Sequence, residues 1–147
     1  MLKKRIFTFP VINMTNKVFA DTSFFVALIN RNDQYHHQAL KLSVIFENTP
    51  IITTNIILLE IGNALAKNFK QQAIELIDAI LSSEEAQLIN LDAALFQKGY
   101  EFYQKYQDKN WGLVDCISFV VMKENNITDV LSFDSDFKQA GFRLLHP

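Results

Sequence analysis

The stretch VLSFDSDF, residues 130–137, decides the fold. Val130 to Phe133 is a mostly apolar run, short enough for a buried strand. It stops at two aspartates, Asp134 and Asp136, with a phenylalanine on either side. Two like charges at the end of a core strand are unfavourable unless something compensates them.

Upstream, Lys17 to Ala20 (KVFA) reads as a short strand ending at Asp21, where DTS can cap a helix over Phe24 to Asn30. Asp33 begins a second helix, DQYHHQALKLSVIFEN, with Ala39, Leu40, Val44 and Phe46 in its apolar set. Pro50 to Thr53 is a second strand, and Thr54 caps a helix containing IILLEIGNALAKNF. Another helix follows from about Gln71 to Leu81, and Ala86 to Ile89 is a third strand. Ala93 to Gln107 is amphipathic, with Leu95, Phe96, Tyr100, Tyr103 and Tyr106 at helical spacing and Gly99 on the same face. The loop QDKNWG leads to a helix from Leu113 to Lys123; Asp129 to Phe133 is the fourth strand and Phe142 to Leu145 a fifth.

Strands alternating with helices imply crossover connections. The expected fold is α/β: a three-layer α/β/α sandwich around a central, mostly parallel sheet of four to five strands. Sites in such sheets form beyond the carboxyl ends of the strands. Asp21 ends the first strand and Asp134 the fourth, so the two are expected to meet.

The bulk numbers bound the function. A chain of 147 residues, 49% hydrophobic and 20% charged, makes one compact domain with a sizeable core. The single cysteine, Cys116, excludes an internal disulfide and fits a reducing compartment, so a cytoplasmic location is expected. A net charge of −2 excludes a basic, electrostatically driven nucleic-acid binder, so any nucleic acid is held by a local patch or through metal. No apolar run reaches the ~18 residues of a membrane span. The start MLKKRIFTFPVIN lacks the long apolar core and cleavage site of a signal peptide. Met14 is a more natural beginning, so residues 1–13 read as an extension or a misassigned start and 14–147 as a single domain.

Four carboxylates are embedded in apolar sequence: Asp21 in VFADTSFFVAL, Glu60 in NIILLEIGNAL, Asp115 in WGLVDCISFVVM and Asp134 in VLSFDSDF. Burying a carboxylate costs several kcal/mol unless it is paired or metal-bound, and these four have no basic partner nearby in sequence. Clustered, they repel one another; a divalent cation resolves the conflict. Oxygen ligands without ligand-spaced histidines point to Mg²⁺ or Mn²⁺ over zinc. Each acid also has a purely structural reading, Asp21 and Asp115 as helix N-caps, Asp134 as a turn residue and Glu60 at a helix edge; the set of four favours a site. Asp136 is either a surface turn residue or a further metal contact. His36 and His37 read as surface or edge residues, Cys116 as a packed thiol, and Lys105, Lys109, Lys138 and Arg143 as solvated charges that can also reach phosphate. Trp111 either flanks the site or packs.

DTSFFVAL, TTNIILLEIGNAL and WGLVDCISFVVMKENNITDVLSFDSDFKQAGF together resemble a PIN-domain ribonuclease of the VapC toxin type, from about Lys17 onward. The closing stretch is the most specific part: an aspartate at a helix start, an apolar strand ending FD, then F-x-x-A-G-F. The resemblance implies a small α/β/α fold with an acidic pocket that binds Mg²⁺ or Mn²⁺ and cuts single-stranded or loop RNA, leaving a 5′-phosphate without a covalent enzyme intermediate. The family's four acids fall on Asp21, Glu60, Asp115 and Asp134, and Ser23 and Ser118 fall where hydroxyls support them. Asp136 departs from the pattern, since relatives often carry His or another polar residue there.

The metal ligands expected are Asp21, Asp115 and Asp134, directly or through water, with Glu60 and Asp136 as further candidates; Glu60 can also assist deprotonation of the attacking water. The resemblance implies a homodimer and a cognate antitoxin whose tail enters the acidic groove. The competing reading is a catalytically weak PIN-fold module that binds RNA or protein. A phosphotransfer domain with Asp21 as nucleophile is disfavoured, because its DxD belongs just after the first strand, where DTS stands.

Overall fold

The computed structural model describes residues 17–147. The expected extension or misassigned start, 1–13, lies outside the described residues. The chain forms β1 (Val18–Ala20), α1 (Thr22–Ile29), α2 (His36–Ile45), β2 (Ile51–Thr54), α3 (Asn55–Leu65), α4 (Lys70–Ser82) and β3 (Ala86–Ile89). It continues with α5 (Ala93–Lys105), α6 (Leu113–Glu124), β4 (Asp129–Leu131), α7 (Asp136–Gln139) and β5 (Arg143–Leu144).

The strands lie in the order β3-β2-β1-β4-β5, and every neighbouring pair is parallel. Parallel sheets covered by helices on both faces take strands that are apolar throughout. β1 fits this rule: Val18, Phe19 and Ala20 are all buried. From β1 the chain steps outward through β2 to β3, then returns to place β4 on the other side of β1. The order therefore reverses between β1 and β4. Loops leaving two such strands diverge to opposite faces and open a crevice at their carboxyl ends. The residues after β1 and β4 are Asp21 and Ser132, and the Asp21 N–H donates to the Leu131 carbonyl at 3.0 Å.

The differences from the expected elements have local causes. The sheet is wholly parallel because each return passes through a helix. α1 starts at Thr22 because the Asp21 side chain accepts from the Ser23 N–H, which makes Asp21 the N-cap. α2 starts at His36, not at Asp33. The Asp33 carboxylate instead accepts from the Tyr35 N–H at 2.8 Å, an Asx turn that holds 33–35 outside the helix. β4 stops at Leu131, so Ser132 and Phe133 are free to turn into the crevice.

The short helix α7 was not expected. Phe137 anchors it, fully buried, with its ring edge-on to Phe119 at 5.1 Å and 6.2 Å from Phe19. Its end is a Schellman turn: the Phe142 N–H reaches the Phe137 carbonyl at 2.9 Å and the Gly141 N–H reaches that of Lys138 at 3.0 Å. Gly141 carries a φ of 98°, which a side chain disfavours, and this lets Phe142 turn back into the core. The acidic loop 134–136 is thus pinned between a buried strand and a buried ring.

Gly99 has a packing role. A Cβ there would lie 3.2 Å from the Ile117 Cα and still closer to that side chain, so α5 and α6 touch backbone to backbone at this point. Trp111 packs, buried against Phe119 and Phe102, and its indole N–H donates to Gln139 Oε1 at 3.1 Å. Cys116 is buried, with its thiol pushed up to about 11 by burial and then by Asp115, so it is an inert core residue.

Candidate active site

The crevice at the β1/β4 switch is an open cleft of about 900 Å³ lined by Asp21, Glu60, Asp115 and Asp134, among others. Four elements deliver these acids. Asp21 leaves β1 as the N-cap of α1; Glu60 lies in the second turn of α3; Asp115 is in the first turn of α6; Asp134 follows β4.

Asp21 is the most deeply held. Its Oδ2 accepts from the Ser132 hydroxyl at 2.9 Å and the Ser23 hydroxyl at 3.0 Å. The Phe133 N–H donates to Ser23 Oγ at 2.9 Å, and the Asp134 N–H donates to Ser132 Oγ at 3.0 Å. Each hydroxyl thus takes a backbone N–H and directs its one proton to Asp21. This knot ties the end of β1 to the loop that carries Asp134. Burial pushes the Asp21 carboxyl above its ordinary value, and the Ser132 and Ser23 bonds oppose that rise.

Asp115 reaches back to the Gly112 N–H at 3.3 Å, the acidic half of a capping box; Gly112 has no side chain to complete it. Its carboxyl is pushed up to about 7, by burial first and then by the charges of Asp134 and Asp21. Asp134 Oδ1 accepts the Asp136 N–H at 2.9 Å, so the D-S-D spacing closes a turn. Carboxylate oxygens of Asp115, Asp134 and Asp136 lie within 4.8 Å of one another. Asp136, on the first turn of α7, is raised by burial and then by Asp134. Glu60 Oε1 accepts the hydroxyl proton of Thr22.

The structure therefore brings Asp21, Glu60, Asp115 and Asp134 to one cleft and puts Asp136 in contact with it. Asp21 and Glu60 stand outside the tight trio. Among the described residues, the ion pairs are Lys98 with Glu124, Lys109 with Asp108 and Arg143 with Asp129, and none reaches these five acids. Of the two expected hydroxyls, Ser23 bonds Asp21. Ser118 is buried in α6, and among the described residues its hydroxyl makes no hydrogen bond to the acids. Ser132 holds Asp21 instead and was not singled out from sequence. In sequence it falls inside the expected strand 129–133, two residues before Asp134, and carries no signal of its own. Gln34 and Tyr35, also unforeseen, line the cleft from the loop before α2. The histidines stay outside it; His36 Nδ1 lies 2.7 Å from the Ala27 carbonyl and fastens α2 to α1.

The model of the PIN domain family matches residues 18–143. Over 131 residues the chain is 30% identical to the 23S rRNA-specific endonuclease VapC20 of Mycobacterium tuberculosis, spanning 88% of this chain and 98% of that protein. It is similar to the crystal structure of that sarcin–ricin loop cleaving toxin, with a TM-score of 0.79 over 88% of this chain and 99% of the other. VapBC2 from Rickettsia felis, bound to a promoter DNA fragment, matches at a TM-score of 0.64 and 18% identity, covering 88% and 97% of the two chains. FitAcB from Neisseria gonorrhoeae matches at 0.55 and 14% identity, covering 87% and 96%. The last two likenesses concern the fold alone.

Proposed function

The chain belongs to the PIN-domain family, and from that premise we propose that it is a divalent-metal-dependent endoribonuclease, the toxin of a toxin–antitoxin pair. One observation carries the reading. Asp115, Asp134 and Asp136 crowd their oxygens within 4.8 Å in a cleft that also holds Asp21 and Glu60, with no basic partner among the described residues. Without a cation that crowding is unfavourable; burial first, and then the charges of Asp134 and Asp21, push Asp115 up to about 7. Oxygen donors alone fit a hard cation such as Mg²⁺ or Mn²⁺.

Asp21, Asp115 and Asp134 would hold the cation directly or through water, with Asp136 and Glu60 as the further donors. A bound Mg²⁺ or Mn²⁺ supplies charge neutralisation at the phosphate and acidifies the attacking water. The Thr22 hydroxyl orients Glu60 towards the cleft, where its free oxygen can align that water or take its proton. Ser23 and Ser132 donate to Asp21, oppose the rise that burial causes, and fix the carboxyl in position. The Asp134 side chain is locked by the Asp136 N–H. Hydrolysis then breaks a phosphodiester by direct attack of water and leaves a 5′-phosphate, with no covalent intermediate on the protein.

The name of the 30% identical relative supports RNA as the substrate class. Held by these acids, a divalent cation would supply the positive charge that a chain of net charge −2 needs to hold RNA. The toxin named among the similar structures supports an antitoxin partner. The exposed stripe Phe96, Tyr100 and Tyr103 on α5 supports a homodimer contact. Among the described residues no helix is long and apolar enough to cross a membrane, and a cytoplasmic site of action follows from the substrate.

The test is incubation of the purified protein, freed of co-purified partner, with total RNA. Discrete fragments with 5′-phosphate ends that appear with Mg²⁺ or Mn²⁺ and vanish with chelator support the reading. Intact RNA under every ion, from a folded protein, would move the reading to a binding module.

A further inference from the structure

Tyr35 and Phe133 form a parallel stack, with ring centroids 4.6 Å apart and planes within 2°. Both are half-buried and both line the acidic cleft. Two structural devices fix the pair. The Asx turn at Asp33 presents Tyr35 from the loop before α2. The Phe133 N–H is bonded to Ser23 Oγ, in the same serine knot that holds Asp21. Phe133 also immediately precedes Asp134 in the chain. An aromatic surface is therefore built one residue from the acids and tied to them by hydrogen bonds, in contrast to an aromatic buried wholly in the core.

We infer that the Tyr35–Phe133 stack is a base-binding subsite, on which an unpaired base next to the scissile phosphate lies flat. The inference rests on the ribonuclease reading and deepens it. Every nucleobase has a π-face, so such a platform gains affinity without demanding one base; unstacked RNA bases are commonly held this way. Gln34, lining the same cleft beside Tyr35, carries an amide able to donate to and accept from a base edge. The stack sets which nucleotide conformation reaches the acids: a base still paired in a helix cannot lie on it.

The test uses a single-stranded synthetic RNA spanning the cleavage site mapped in total RNA, and versions with one abasic ribose at each flanking position. For the wild-type protein, one abasic position raises KM by about tenfold with kcat retained, the scale of one stacked base. In Tyr35→Leu the intact and abasic RNAs have the same KM, both near the wild-type value for the abasic one. Tyr35→Trp keeps the ring and keeps the discrimination, which guards against a variant that fails to fold. Metal-dependent cleavage by the wild type with no abasic position affecting KM would overturn the subsite and leave the ribonuclease reading standing. An equal fall in kcat on all substrates in Tyr35→Leu would overturn it too, because the ring would then only be supporting the loop. Absence of any cleavage by the wild type would instead overturn the reading beneath it.

Discussion

The Ser132 hydroxyl donates to Asp21 Oδ2 at 2.9 Å across 111 residues of sequence. The bond joins the ends of β1 and β4, the two strands that flank the switch in strand order. It also makes Asp134 dependent on Asp21, because Ser132 Oγ accepts the Asp134 N–H. Ser132→Ala leaves a buried carboxylate with one donor fewer and a backbone N–H without its acceptor. The expected result is a loss of about 1–3 kcal/mol in stability and a fall in RNA cleavage, with the fold retained. Chemical denaturation and single-turnover cleavage read the two effects.

Asp115 makes stability depend on pH in a defined direction. Its ordinary value is 3.8 and burial among acids takes it to about 7, so the folded protein holds a proton that the unfolded chain releases. Without cation, folded stability contributed by this group is full below about pH 4 and is lost as pH rises through about 7. Asp115→Asn removes that loss. At pH 8 without metal, Asp115→Asn is expected to be more stable than the wild type by about 1–2 kcal/mol, the shift being discounted for the group's partial exposure. The same variant should cleave no RNA. Thermal melts at pH 5 and pH 8 in chelator check the sign: the gain appears at the higher pH.

Asp136 stands at the rim, where a single charge contributes to cation affinity more than to chemistry. Asp136→Asn keeps the backbone bond to Asp134 Oδ1, which comes from the N–H and not the side chain. The variant should need about tenfold more Mn²⁺ for half-maximal cleavage, the scale of losing a supporting group around a metal. At saturating Mn²⁺ its rate should approach that of the wild type. A Mn²⁺ titration of the cleavage rate decides this.

Gly99 allows α5 and α6 to touch. Gly99→Ala places a methyl against the Ile117 backbone and side chain, so the helices must separate. Despite the better helix propensity of alanine, the expected change is a destabilisation of about 1–3 kcal/mol. Thermal denaturation measures it, and an unchanged or raised melting temperature would show that the contact relaxes freely.

Much of this was legible in the sequence, for physical reasons. Buried parallel strands are apolar throughout, so KVFA and VLSF stood out, and an acid ending such a run is conspicuous. Hence Asp21 and Asp134 were found, and the helix faces of Glu60 and Asp115 followed from apolar neighbours. The unforeseen features depend on tertiary contact. α7 has only four residues, and its anchor, Phe137, is recognisable only once the Phe119 and Phe19 rings surround it. Asp33 reads as a helix start, but its side chain favours the Asx turn that presents Tyr35 to the cleft. Ser132 is an ordinary serine until the strand order places it against Asp21. Gly99, an unfavourable residue inside a helix, is explained by its contact with Ile117, eighteen residues away.

The most direct measurement is calorimetric titration of Mn²⁺ into the wild-type protein and into Asp134→Asn, each freed of metal and partner, at pH 6 and pH 8. The wild type should bind Mn²⁺ more tightly at pH 8 and release protons on binding at pH 6, because the cation displaces the proton held at Asp115. Asp134→Asn should lose most of that affinity while remaining folded. Equal Mn²⁺ affinity in the two proteins, or no binding by a folded wild type, would contradict the account of the acids as a cation site.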